Sequence, residues 1–93
     1  MSNERYNNVW DAIEDTPEEA ENMKLRASLM RSLNDHIDRA GLTQAQAAQL
    51  FGVTQPRISD LKRGKIHLFS LDTLVNMASA AKLRLEIRIQ DAA

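Results

Sequence analysis

The stretch TQAQAAQLFGVTQPRISDLKRG, residues 43–64, places a Gly-Val pair between two short helical patterns. Thr43 stands as N-cap of the first, Gln44 to Phe51, in which Ala47, Ala48, Leu50 and Phe51 are apolar. Thr54 stands as N-cap of the second, and Gly64 ends it. Helices joined this tightly must cross closely, so a small residue has to face the partner, and Ala47 and Ala48 meet that need. Gly52 tolerates the positive φ of the turn, Val53 is expected to drop into the core, and Ile58 and Leu61 form a buried stripe at i, i+3. Pro56 is compatible with the second helix, because near the N-terminus the backbone N–H has no intrahelical partner to lose.

These are the requirements of a helix-turn-helix. At about 100° per residue, Pro56, Ser59, Asp60 and Arg63 lie opposite the buried stripe, with Gln55 and Lys62 on one flank and Arg57 on the other. An exposed face that opens with glutamine and ends in Lys62-Arg63 suits major-groove docking: early residues meet base edges and basic ones clamp phosphates. Gln44 is placed to meet a phosphate with its amide or its helix N-terminus. Thr43, Thr54, Arg57 and Lys65 complete the expected phosphate contacts. The plainer readings are a solvated basic cluster, a Gln55 that meets only water or phosphate, and an Asp60 paired with a base of its own chain.

Outward from the motif, Thr16-Pro17-Glu18-Glu19 starts a long amphipathic helix, with Glu19 able to complete a capping box. Ala20, Met23, Ala27, Met30, Leu33 or Asn34, Ile37 and Ala40 make its apolar stripe, and Gly41 ends it. Ser70 caps a later helix with Leu71, Leu74, Val75, Ala78 and Ala81 as its stripe, and Asp72 favours its dipole. The period then changes. Leu83, Leu85, Ile87 and Ile89 alternate with Arg84, Glu86, Arg88 and Gln90, the pattern of a half-buried strand. A lone strand leaves its backbone groups unpaired, so it is expected to pair antiparallel with its copy in a two-fold dimer. The expected division is an acidic arm over 1–15, a DNA-binding domain over 16–81, and a dimerisation strand with tail over 82–93.

The net charge of −1 is an average. Residues 1–22 hold Arg5 against seven acids, a balance of −6, whereas residues 23–69 balance to +5. This asymmetry points to two different partners, or to an arm folded onto its own body. In the arm, Val9, Trp10 and Ile13 are candidates for contact with a partner protein, since tryptophan is enriched at binding hot spots. Packing on the long helix is the alternative.

Cysteine is absent, which excludes disulfides and thiolate chemistry. His36, expected on the polar side of the long helix, and His67, in a loop, belong to no ligand set. Asp11, Glu14 and Asp15 have no nucleophile or base partner. No metal, cofactor, small-molecule ligand or enzymatic activity is therefore expected. No apolar run approaches the roughly 18 residues of a membrane span, and the acidic N-terminus is no signal peptide, so a cytoplasmic chain is expected.

GLTQAQAAQLFGVTQPRISDLKRG resembles the Xre/Cro helix-turn-helix family, in which Thr-Gln opens each helix and Gly-Val joins them. NVWDAIED and PEEAENMKLRASLM before it, GKIHLFSLDTLVNMASAA after it and the alternating terminus resemble HigA-type antitoxins and their phage-borne relatives. The resemblance implies an all-α, lambda-repressor-like bundle with a C-terminal β-strand that pairs across a homodimer. It implies a repressor that binds a palindromic double-stranded DNA operator, neutralises a RelE/HigB-like ribonuclease toxin and represses their shared operon. It also implies base reading through Gln55, Pro56, Ser59 and Asp60. Pro56 cannot donate and Asp60 only accepts, as from a cytosine amino group, so the bases read by relatives do not transfer. A stand-alone phage-type repressor, or a toxin-binding module without operator binding, are the alternatives.

Overall fold

Thr16 closes the start of the first helix by accepting a hydrogen bond from the Glu19 amide at 3.1 Å. In the computed structural model, which describes residues 16–91, this helix α1 spans Pro17–Ala40 and ends on the left-handed Gly41. Next come α2 (Gln44–Phe51), α3 (Gln55–Lys62), a 3-10 turn (Ile66–Leu68) and α4 (Leu71–Ala80). The acidic arm, with Val9, Trp10 and Ile13, lies outside the described residues.

Only the second half of α1 is deeply buried. Met30, Leu33 and Ile37 enter the core, Ala20, Met23 and Ala27 are half-buried, and Ala40 is exposed. Leu33, rather than Asn34, takes the core position, and Asn34 instead donates to the Leu61 carbonyl at 3.0 Å, tying α1 to the end of α3. α1 packs on α4, on the 3-10 turn and on α3, while α2 packs on α3 and α4. Two aromatics fill the middle. Phe51 from α2 and Phe69 from the loop before α4 are fully buried among Leu33, Ile58, Leu61, Leu74 and Met77. His36, expected on a polar face, is half-buried and meets the Phe51 ring edge-on at 6.3 Å.

The α4 stripe is rotated from its expected position. Leu74, Met77 and Ala78 are buried, Leu71 and Ala81 are half-buried, and Val75 is turned outward at 38% exposure. Met77, outside the expected stripe, is buried in place of Val75.

The expected C-terminal strand is not formed within the chain. Residues 83–90 carry no regular structure, because a strand needs a neighbour to exchange ladder bonds with, and among the described residues no segment takes that role. Just past the Ala81 cap of α4, Lys82 adopts φ 61° and lets the Leu83 amide return to the Ala78 carbonyl at 2.9 Å. Leu83 and Leu85 then pack half-buried against the core, whereas Ile87 and Ile89 are 71% and 93% exposed.

Candidate nucleic-acid interface

The turn between α2 and α3 is built as its sequence requires. Thr43 and Gln46 close a reciprocal capping box at 2.9 and 3.1 Å, which holds the N-terminus of α2. Ala47 and Ala48 are buried, so α3 approaches α2 closely. Gly52 sits at φ 71°, and a Cβ there would meet Ala80 at 3.7 Å. Space is ordinary at that position, so conformation is what demands glycine. Val53 packs half-buried against the core, its amide on the Ala48 carbonyl at 3.0 Å.

Helix α3 is fixed by its inner stripe, since Ile58 and Leu61 are both 0% exposed. Thr54 accepts from the Arg57 amide at 3.4 Å, and Pro56 sits in the first turn. With that stripe buried, Gln55, Pro56, Lys62 and Arg63 face solvent, and Ser59 and Asp60 are half-buried beside them. Thr43, Gln44 and Thr54 are exposed at the helix starts. The structure therefore gathers Gln55, Pro56, Ser59 and Asp60 on one helix, flanked by exposed Arg63 and Lys65.

Four charged residues of the expected site, Arg57, Asp60, Lys62 and Lys65, have partners inside the chain. Arg57 donates to the Leu68 carbonyl at 2.9 Å and lays its guanidinium 5.3 Å from the Phe69 ring centroid. It thereby holds α3 to the 3-10 turn rather than standing free for a phosphate. Lys62 pairs with Asp38 of α1 at 2.6 Å. Asp60 lies 3.9 Å from Lys65, so its carboxylate has a cation of its own chain nearby.

Asp38 and Arg26 are the residues sequence reasoning passed over. Arg26 donates to the Ile66 and Phe69 carbonyls at 3.2 and 3.4 Å and so braces the loop after α3. Both partnerships join residues 24 or more positions apart, and no local spacing signals them. Among the described residues no group of histidines and carboxylates could hold a metal ion, and no helix is long and apolar enough to cross a membrane.

A family model described as a helix-turn-helix domain matches residues 12–90. The chain belongs to this helix-turn-helix family. No curated protein matches the chain significantly. The match runs through all four helices and most of the C-terminal segment. As a helix-turn-helix protein the chain is a DNA-binding regulator, with α3 at the position of the recognition helix.

Proposed function

We propose that the chain is a sequence-specific transcriptional repressor of the Xre type that binds a palindromic operator as a homodimer in the cytoplasm and performs no catalysis. One observation carries this reading: α3 is clamped by two fully buried residues and turns Gln55, Pro56, Lys62 and Arg63 outward. A rigid helix with a polar opening turn and a basic end can enter a major groove, with Gln55 reading a base edge and Arg63 and Lys65 on phosphates. Ser59 and Asp60 lie on the same face, Asp60 as an acceptor once Lys65 turns to the backbone. Thr43, Gln44 and Thr54 present helix starts to phosphates. Residues 83–90 pair with a second copy, which aligns two recognition helices.

Within that function, the chain acts as a HigA-type antitoxin of a RelE/HigB-like ribonuclease toxin. The likeness of the stretches around the motif supports this, as does an acidic N-terminal arm whose charge complements an RNA-cleaving protein. A gel shift with DNA from upstream of its own gene, against random DNA of equal length, tests operator binding. Co-expression with the product of the adjacent gene, followed by co-purification, tests the toxin. Specific retardation without a co-purifying partner returns the stand-alone repressor. Co-purification without retardation returns the toxin-binding module, a reading favoured by Asp60 on the DNA face and by the Lys62–Asp38 pair.

A further inference from the structure

An apolar groove runs between α1 and α4, lined by Leu25, Leu29, Leu71 and Val75, with Leu85 and Ile87 at its lip. Leu25 and Val75 remain 43% and 38% exposed, and beyond them Ile87 and Ile89 are almost uncovered. The chain thus contributes the first half of an apolar alternation to its own core and leaves the second half over open solvent.

We infer that a second copy of this chain covers the groove, its C-terminal segment paired antiparallel with this one in the register centred on Ile87. The inference rests on the two-fold dimer proposed above and specifies its interface. Charge selects among the symmetric registers. Centred on Glu86, the pairing sets Glu86 against itself and Arg84 against Arg88, like charges directly opposed. Centred on Leu85, it pairs Arg84 with Glu86 but opposes Lys82 to Arg88, and it spends the two-fold contact on a residue already packed on its own core. Centred on Ile87, Glu86 faces the partner copy's Arg88 twice by symmetry, and Arg84 faces Gln90. Ile87 then meets its own copy, and Leu85 meets the partner copy's Ile89. Directly opposed side chains share a face of a strand pair, so the partner copy's Ile89 is brought beside Leu85, over Leu25 and Val75. The most exposed isoleucines become the most covered.

The chain has no cysteine, so single replacements report the register cleanly. Under mild oxidation, Ile87→Cys should form a disulfide-linked dimer on a non-reducing gel. Ile89→Cys should not, because its copy lies four residues along the strand, about 13 Å away, beyond disulfide reach. In sedimentation, Glu86→Arg should raise the dimer dissociation constant roughly tenfold, Arg88→Glu likewise, and the double swap should restore it. Val75→Glu should weaken the dimer while leaving the helical circular dichroism in place. Linkage through Ile89→Cys, or rescue of Glu86→Arg by Arg84→Glu instead, overturns this register while the dimer stands. An unaltered monomer in sedimentation removes the dimer itself, and the register with it.

Discussion

Lys62 stands between two acceptors: the Asp38 carboxylate at 2.6 Å and, in the proposed complex, a DNA phosphate. Both partners are substantially solvated, and an exposed pair of this kind contributes under about 1 kcal/mol, so a phosphate can compete for the ammonium. Asp38→Asn should therefore cost little stability and should tighten binding to operator and random DNA alike by a few-fold, read in a gel shift. Equal affinity before and after would place Lys62 outside the interface. Gln55 predicts the opposite signature. In the proposed complex its side chain reads a base edge, so Gln55→Ala should cost roughly 1–3 kcal/mol on operator DNA and relax one base position, with random DNA unaffected. Arg57 differs from both, since its guanidinium serves the Leu68 carbonyl and the Phe69 ring. Arg57→Ala should lower stability by about 1–2 kcal/mol in a thermal melt and leave the salt dependence of DNA binding intact.

At the scale of elements, the α1, α2 and α3 boundaries were legible because each rests on local chemistry. Thr16, Thr43 and Thr54 cap, Pro17 and Pro56 fit first turns, and Gly41 and Gly52 take positive φ. Local spacing also picked out Ile58, Leu61, Ala47 and Ala48 as buried. What it could not supply was the orientation of α4, where Met77 is buried and Val75 is turned outward, because that choice depends on how α4 packs on α1 and α2, far away in sequence. The end of α4 was legible within a residue, but the turn that follows it was not. Lys82 holds the left-handed conformation that glycine usually occupies, so composition gave no sign of the turn. A left-handed non-glycine residue carries roughly 1–2 kcal/mol of strain, partly offset in a glycine variant by the entropy of its unfolded chain. Lys82→Gly should accordingly raise stability by about 0.5–1 kcal/mol, measured by denaturant unfolding. A loss of stability would show that the lysine side chain makes compensating contacts. The candidate site divides along the same line: its exposed face follows from helical phase, whereas the Lys62–Asp38 and Arg26 contacts depend on how α1 crosses the bundle.

In the whole molecule, one recognition helix of eight residues offers too few contacts for tight operator binding, and affinity has to come from two helices held at a fixed spacing. The proposed two-fold dimer would set them about 34 Å apart, one helical turn of duplex, and double Lys62, Arg63 and Lys65. If all six cations release counterions, the slope of log K against log salt should lie near about −5, and Lys62→Ala with Arg63→Ala should flatten it by more than half. Spacing and dimerisation then become one property. Inserting a half-turn of about 5 base pairs between the half-sites moves the second to the opposite side of the duplex, so wild-type affinity should fall to that of one half-site. In the proposed strand pair Ile87→Pro would disrupt the ladder at a residue 71% exposed in the single chain, so it should break the dimer while sparing the fold. On the intact operator its affinity should match the wild type on the interrupted one, and the insertion should cost the variant nothing more. Two independent losses in the Ile87→Pro protein would mean that the helices are coupled by some other surface than residues 83–90.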